Sequence, residues 1–249
     1  MTDEYGPSTY GDRIAGIYDR WVEDAGIGAG TGDAVAFIAE LAGKGPALAL
    51  GIGTGRVALP LAARGVEVHG VDASEEMVAQ LRAKPGGADI PVTMGDFAGV
   101  PVEGDYRLIY IPFNTFFGLL TQEDQVRCFQ SAAQHLTSDG AFLLEVFVPD
   151  LSRFDRGQRV DTTYVASDLV ELDVSKHQPA TQTVVSAQAM LTESGTRIYP
   201  VRLRYAWPAE LDLMAQLAGM RLRERWGGWR REPFADDSVK HVSIYELAS

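Results

Sequence analysis

A glycine-rich turn at residues 48–56, LALGIGTGR, constrains the fold of this chain more than any other feature. It follows a short apolar run at 46–51, which favours a buried strand, and it opens a helix-like segment at 54–64. Its glycines alternate along the turn: Gly51, Gly53 and Gly55. They allow tight turning and close approach to a ligand, while the helix start offers free N–H groups. The turn alone is a weak signal, because many α/β proteins without a cofactor have one.

Strand-like and helix-like segments alternate through the first 150 residues. Apolar or alternating runs predict further strands at 66–72, 90–96, 107–113 and 141–148. Helical patterns are predicted at 9–25, 31–43, 74–83 and 121–136. Ser74 and Thr121 are the predicted N-caps of the last two helices, and Asp139-Gly140 is a predicted turn. This order indicates an α/β fold with a parallel sheet and helices on both faces.

The pattern changes after Pro149. Residues 160–206 contain Thr- and Val-rich alternating stretches, which predict an antiparallel sheet inserted into the α/β core. A helix is then predicted from Pro208 to Ala218, followed by strands at 221–227 and 241–247.

Two acidic residues stand at the ends of predicted strands, and this strengthens the glycine signal. Asp72 ends the second strand, where a carboxylate can accept hydrogen bonds from ribose hydroxyls. Asp96, followed by Phe97, ends the third strand and can bind an adenine amino group beside an aromatic ring. Each has a plainer interpretation, as a helix cap or a turn residue. Their coincidence at successive strand ends predicts a nucleoside site, because ligands of α/β sheets bind at that edge.

A nicotinamide dinucleotide site is the first alternative. Its fingerprint has a third glycine at the position that Arg56 occupies, and the Arg56 side chain is expected to disturb close helix–strand packing there. The alternative therefore remains open but is disfavoured.

Composition excludes several classes of protein. The chain has 249 residues, with 22 Lys and Arg against 34 Asp and Glu, so its net charge of −12 repels nucleic-acid backbones. It contains no apolar run long enough to span a bilayer and no signal-peptide pattern, which predicts a cytoplasmic protein without membrane contact. Cys128 is the only cysteine, and the sequence suggests no metal site.

The motif series resembles that of class I S-adenosylmethionine-dependent methyltransferases. It comprises LALGIGTGR, then GVD with Asp72, then GDF with Asp96 and Phe97. The N-terminal segment from Tyr10 to Trp21 resembles the cap helix of small-molecule members, and the insertion resembles that of glycine, aminosugar and peptide N-methyltransferases. The resemblance implies a Rossmann-like fold with a mostly parallel seven-stranded sheet. It implies one domain over 1–249, with a cap at 1–30, a core at 31–150 and 207–249, and an insertion at 151–206.

The resemblance also implies roles for individual residues toward the cofactor S-adenosyl-L-methionine. The glycines line its methionine part, Asp72 holds the ribose, and Asp96 and Phe97 contact the adenine. The complete cofactor set is Gly51, Gly53, Gly55, Asp72, Ala73, Met77, Asp96, Phe97, Ile111 and Tyr18. Members of the family usually have an acid two residues before the first glycine, where this chain has Ala49. The loss of that acid predicts weaker binding by about 1–3 kcal/mol.

The acceptor is expected to be a small molecule methylated on nitrogen or oxygen by direct in-line displacement. Its expected contacts are Tyr10, Trp21, Asn114, Phe116, Phe117 and Trp229, with Asn114 and Tyr18 as the catalytic candidates. None of the four histidines is predicted to be a general base. A non-catalytic or non-methylating member, such as a cyclase, remains an alternative because of Ala49. A homodimer formed through the inserted sheet is a further possibility.

Overall fold

The N-terminal region folds as separate short helices. The computed structural model describes residues 5–24 and 27–248. Helix α1 is Thr9–Ile14, α2 is Tyr18–Asp24 and α3 is Thr31–Ala42. The single helix predicted at 9–25 is therefore wrong, since the chain turns around Gly16, a weak helix former. Residue 25 and parts of the predicted cap at 1–30 lie outside the described residues.

The strands, in chain order, are β1 Ala47–Leu50, β2 Val68–Asp72, β3 Val92–Met94, β4 Tyr106–Ile111, β5 Leu136–Phe147, β6 Gln158–Val165, β7 Leu169–Gln178, β8 Thr183–Thr192, β9 Gly195–Arg204, β10 Met220–Trp226 and β11 Lys240–Leu247. Among the described residues, seven strands form one sheet in the order β10-β11-β5-β4-β1-β2-β3. Strand β11 runs antiparallel to β5 and β10, while the other pairs are parallel. The predicted mostly parallel, Rossmann-like α/β architecture is confirmed.

Several predicted boundaries differ from the observed ones. Helix α4 is only Ala58–Ala62, so Pro60 lies within its first turn, where a missing N–H costs little. Strand β5 begins at Leu136 and includes the predicted Asp139-Gly140 turn. Strand β4 ends at Ile111 because Phe113 has a positive φ of 57°. Helices α5 (Glu75–Arg82) and α6 (Gln122–Gln134) have the predicted caps, Ser74 and Thr121.

Alternate residues of β1 supply the two halves of the core. Leu48 and Leu50 pack on the side of α6 and of α7 (Pro208–Leu217), whereas Ala47 and Ala49 pack on the side of α3 and α4. All four are buried. Both faces of the central strand are therefore covered, as a parallel sheet requires.

The insertion forms its own antiparallel sheet in the order β6-β7-β8-β9, between β5 and α7. The predicted antiparallel insertion is confirmed, with its strands spanning residues 158–204. Strand β9 lies at one edge of this sheet and contacts α1 and the 3-10 turn at Thr115–Gly118. Through these contacts the inserted sheet reaches the edge of the seven-stranded sheet where β1, β2 and β4 end.

Candidate functional site

A cavity of about 590 Å³ lies at the carboxyl ends of β1 and β2. Its floor comes from the turns after these strands and from the turn after β3, and its walls come from the N-terminal helices and the turn after β4. Strand β9 contributes the roof through Val201, Arg202 and Leu203. The cavity therefore joins the turns after β1, β2 and β3 with the N-terminal helices, as the sequence predicts.

The glycine turn forms part of the cavity floor. Gly51 and Gly53 have φ of 74° and 58°, in the left-handed region that favours glycine. A Cβ at Gly51 would stand 2.5 Å from Thr115 Cγ2, so the turn needs glycine for close approach as well. Apart from its chain neighbours, no atom of the described residues lies within 4 Å of the Cβ position of Gly53, which leaves open space for a ligand. Gly55 does not line the cavity, because it packs against Leu81 instead.

Asp72 lies at the centre of the floor with both carboxylate oxygens engaged. Its Oδ2 accepts from the backbone N–H of Gly53 at 2.7 Å, and Oδ1 accepts from that of Ser74 at 2.9 Å. Burial raises the pKa of Asp72, while these backbone hydrogen bonds oppose the rise. These hydrogen bonds fix the orientation of the Asp72 carboxylate in the cavity lining. Ala73 and Met77 line the cavity beside it.

The predicted adenine contacts also reach the cavity. Asp96 and Phe97 both line it, and the Phe97 ring lies 3.7 Å from the Cβ position of Gly51. One oxygen of Asp96, Oδ1, accepts from the backbone N–H of Ala98 at 2.9 Å. This leaves Oδ2 of an exposed carboxylate available to a ligand amino group.

The N-terminal helices form an aromatic wall. Tyr10, Tyr18 and Trp21 all line the cavity, as the sequence predicts. Burial raises the pKa of Tyr10, so its phenol stays neutral across the physiological range. The indole N–H of Trp21 is buried without a hydrogen-bond partner among the described residues, although this side chain borders the cavity.

The turn after β4 adopts an unusual backbone. Phe113 and Asn114 are consecutive residues with positive φ, 57° and 65°. The buried Glu145 carboxylate accepts from the Phe113 N–H at 2.6 Å, and Asn114 Oδ1 accepts from the Phe147 N–H at 2.7 Å. Both contacts tie the turn to β5 and direct Phe113 and Asn114 into the cavity.

Besides Gly55, four further predicted site residues lie outside the cavity lining. Three of them, Ile111, Phe116 and Phe117, are fully buried in the core on the α6 side, where their side chains pack against other apolar residues. Trp229 is buried behind Phe113, with ring centroids 6.3 Å apart, and does not line the cavity. Direct ligand contacts are therefore not expected from the side chains of these residues.

The sequence interpretation missed Arg56 as a cavity residue. Its guanidinium lies 3.7 Å from the centroid of the Phe113 ring and donates to Tyr18 Oη at 3.4 Å and Thr31 Oγ1 at 3.3 Å. The expected disturbance of helix–strand packing by Arg56 is wrong, because the side chain turns into the cavity instead. Tyr5, Ser74 and Arg202 were missed as well, since only the tertiary fold brings them to this site.

Other reactive side chains are structural. His241 is buried, and burial lowers its pKa to about 3, with Arg225 contributing. Cys128 is fully buried in α6, and burial raises its pKa. In the tail, Arg230 and Arg231 pair with Asp33 and Glu40. None of these side chains lines the cavity.

Neither metal ligation nor a membrane span is indicated in the part of the chain that the structure describes. No group of three or more His, Cys, Asp or Glu side chains there is arranged to hold a metal ion. Within residues 5–24 and 27–248, no helix has the length and apolar character needed to cross a bilayer.

Comparison with known proteins gives consistent matches. Residues 47–140 match a family model described as a methyltransferase domain. The solved CcbJ methyltransferase from Streptomyces caelestis is 43% identical, with a TM-score of 0.92, covering 98% of this chain and 100% of that chain. Cypemycin N-terminal methyltransferase from a Streptomyces species is 27% identical over 243 residues, covering 96% of this chain and 98% of the relative.

A more distant structure has a similar fold. It is SAM-bound CalS10, an amino pentose methyltransferase from Micromonospora echinaspora, with a TM-score of 0.66 and 20% identity. The two chains overlap over 89% of this chain and 95% of that one.

Proposed function

Because the chain belongs to the class I S-adenosylmethionine-dependent methyltransferases, we propose that it methylates a nitrogen of a small-molecule acceptor. Membership confirms the resemblance in the motif series and argues against the nicotinamide oxidoreductase. The observation that supports the proposal most directly is the meeting of the glycine turn, Asp72 and Asp96 at one cavity.

The cavity floor fits S-adenosylmethionine. The open space at Gly53 suits the amino-acid part, and Asp72 is oriented to accept hydrogen bonds from the ribose hydroxyls. Asp96 offers a free oxygen to the adenine amino group, and Phe97 and Met77 offer apolar surface to its ring. When bound, S-adenosylmethionine supplies an electrophilic methyl group on a sulfonium.

The groups that line the cavity support a nitrogen acceptor. Among the described residues no histidine or lysine lines it, and Tyr10 is held neutral by burial. A hydroxyl acceptor needs a general base, whereas a deprotonated amine already has a free lone pair. The work left to the protein is orientation and exclusion of water. The comparison with cypemycin N-terminal methyltransferase favours the same choice.

Tyr18 and Asn114 are proposed to act by positioning. Tyr18 Oη, which accepts from Arg56, has hydrogen-bonding capacity left for an amine. Asn114 has its carbonyl oxygen engaged with Phe147, so its amide NH₂ is the part available to a ligand. Tyr10 and Trp21 complete the aromatic wall on the acceptor side.

The exposed face of the inserted sheet supports the proposal of a homodimer. Adjacent strands place apolar side chains side by side on one face: Val160, Leu172, Val174, Ala187, Ala189 and Ile198. Val160 and Ile198 are 65% and 58% exposed, and two such faces can cover each other in a symmetric pair. Light scattering after gel filtration tests this: we expect a dimer for the native protein and for Ser194→Lys, and a monomer for Val160→Lys. A monomeric native protein contradicts the homodimer.

Calorimetric titration with S-adenosylmethionine and S-adenosylhomocysteine tests the binding of the cofactor. We expect binding of both in the micromolar range, retained in Asp105→Asn, an exposed aspartate outside the cavity, and weakened by Asp72→Asn. Failure of both compounds to bind a folded protein overturns the proposal.

Product mass then tests the reaction. Incubation with candidate amines followed by mass spectrometry is expected to show the addition of one methyl group, with matching formation of S-adenosylhomocysteine. A product of unchanged mass supports the cyclase alternative instead.

A further inference from the structure

Strand β9 forms the roof of the cavity, and no other strand within residues 5–24 and 27–248 covers its outer edge. On this edge the backbone N–H of Arg202 donates to Tyr5 Oη at 3.1 Å, so the N-terminal segment binds where a neighbouring strand would otherwise pair. Tyr5 and Arg202 both line the cavity. The contact therefore places an arginine in the cavity, on the strand that forms its roof.

The guanidinium of Arg202 is held by an aromatic ring rather than by an acid. It lies 4.9 Å from the centroid of the Tyr5 ring, within the range of a cation–π contact. No carboxylate of residues 5–24 or 27–248 forms an ion pair with it. Arg204, two residues further along β9, contrasts with it, since that guanidinium pairs with Glu210 at 2.7 Å.

The acidic residues of the cavity already have other partners. Asp72 and Asp96 accept from backbone N–H groups at the sheet edge. Asp124, the third aspartate that lines the cavity, pairs with Arg127 at 2.6 Å. The roof thus presents a cationic guanidinium whose hydrogen-bonding capacity is largely unused among the described residues. The chain as a whole has a net charge of −12.

A half-buried guanidinium oriented by stacking is suited to bidentate hydrogen bonds with a carboxylate or a phosphate. We propose that Arg202 anchors an anionic group of the acceptor, so that the acceptor is an amine that also bears a carboxylate or a phosphate. This inference rests on the proposed function, because it assigns the roof end of the cavity to the acceptor.

Arg56, the other arginine that lines the cavity, lies on a different element from Arg202. Arg56 lies at the glycine turn, hydrogen-bonded to Tyr18 and Thr31, and faces the part of the floor assigned to the amino-acid end of S-adenosylmethionine. A test of Arg202 therefore needs that end of the cavity filled, which saturating S-adenosylhomocysteine provides.

The experiment compares three aromatic probes of similar shape: phenylacetate, phenyl phosphate and the neutral phenylacetamide. Their affinities for the full chain saturated with S-adenosylhomocysteine are measured by calorimetry. The variants are Arg202→Met, which keeps the apolar stem and removes the charge, and Arg197→Met, a control at an exposed arginine of the same strand. Circular dichroism of each sample establishes that it is folded.

We expect at least one anionic probe to bind about tenfold more tightly than phenylacetamide to the native protein and to Arg197→Met. In Arg202→Met this preference is expected to disappear, and Arg202→Lys is expected to keep part of it. The tighter of the two anions distinguishes a carboxylate acceptor from a phosphorylated one.

Equal binding of all three probes, or no anion binding up to about 20 mM, overturns the proposal. So does a preference that survives in Arg202→Met, since the anion site then lies elsewhere. If S-adenosylhomocysteine itself fails to bind, the proposed function fails, and the probe comparison between Arg202→Met and Arg197→Met still decides whether Arg202 binds anions.

Discussion

Ser74 donates a hydrogen bond from Oγ to Asp12 Oδ1 at 2.7 Å, although 62 residues separate them in the chain. The same oxygen caps α5 by accepting from the Met77 N–H at 3.2 Å. Ser74 also donates its own N–H to Asp72. One serine therefore ties the N-terminal helix, the start of α5 and the proposed ribose carboxylate together. The position of the N-terminal wall is thus coupled to the binding floor.

A second contact of the same kind lies one helix further on. Thr54 donates from Oγ1 to Asp19 Oδ1 at 2.6 Å, and Lys84 pairs with the other oxygen of Asp19 at 2.6 Å. Helix α2 is thereby connected to the glycine turn. Together the two contacts hold the aromatic wall against the cavity, and we expect this wall to help exclude water from the site.

Gly11→Ala is expected to disturb this coupling. A Cβ at Gly11 would stand 2.5 Å from Ser74 Cβ, so α1 must move away from α5. We expect affinity for S-adenosylmethionine to fall about tenfold, corresponding to the loss of roughly one charge-assisted hydrogen bond and its packing. Gly16→Ala is the matched control, because no non-neighbouring atom in the described part of the chain lies within 4 Å of its Cβ position. Equal affinities for the two variants in calorimetry contradict the coupling.

Ala49→Glu is expected to tighten the binding of S-adenosylmethionine. Ala49 is paired in register with Tyr110, and Trp229 belongs to the same core cluster. Among the described residues, the Tyr110 hydroxyl and the Trp229 indole N–H are buried without hydrogen-bond partners. A carboxylate introduced at position 49 has these two hydrogen-bond donors available. We expect the affinity for S-adenosylmethionine to rise by up to about tenfold. Ala49→Gln, of equal size without charge, is the control for overpacking. No gain over Ala49→Gln in titration shows that the missing acid does not limit binding.

The affinity for S-adenosylmethionine is expected to fall in mild acid because of Asp72. Burial raises the pKa of this carboxyl, and the hydrogen bonds proposed from the ribose hydroxyls need its ionised form. Binding is therefore strongest above the raised pKa and weakens as the pH falls through it, at a higher pH than for an ordinary aspartate. Titrations across a pH series should show this dependence in the native protein and lose it in Asp72→Asn. An identical pH profile for the variant assigns the effect to another group.

Glu210→Gln is expected to destabilise the junction between the inserted sheet and the core. Burial opposes ionisation of Glu210, but hydrogen bonds from Arg204, Gln182 and Gln122 and the Arg204 charge lower its pKa overall. Since Arg204 is buried, we expect a loss of about 2–3 kcal/mol in the free energy of unfolding at pH 7.

A depressed carboxyl pKa stabilises the fold above the unfolded-state pKa, and that contribution is lost as the pH falls through the folded-state pKa. The difference between native protein and Glu210→Gln should therefore shrink below about pH 4.5, the ordinary glutamate value. Urea unfolding over a pH series measures it. A difference that stays constant with pH indicates packing rather than charge.

His241 is expected to add to the acid sensitivity of the fold, because the folded protein holds its imidazole neutral. Burial lowers its pKa to about 3 from 6.5, so the unfolded chain takes up a proton that the folded chain does not. Stability should fall below pH 6.5 with an added slope of about 1.4 kcal/mol per pH unit. His241→Leu should remove this part of the slope, as measured by urea unfolding at several pH values. His135→Leu, at a residue outside this buried cluster, is the control.

The amino-acid sequence alone determined the local elements and the order in which they occur. Gly51, Gly53, Asp72 and Asp96 were predictable because strand ends in a parallel sheet share one edge, so short-range patterns define that part of the site. The antiparallel insertion was predictable for the same reason, since alternation is a local property.

Only the tertiary structure decided which side chains from distant segments meet at the cavity. The sequence predicts Phe116 and Phe117 as acceptor contacts, yet both rings pack in the core, because periodicity does not specify which of two apolar environments a ring occupies. Arg56 and Arg202 were not predicted at the cavity, because their positions depend on Phe113 and on Tyr5, aromatic residues remote in the chain. Such contacts depend on how the helices and strands pack against one another, and this packing cannot be deduced directly from the pattern of residues along the chain.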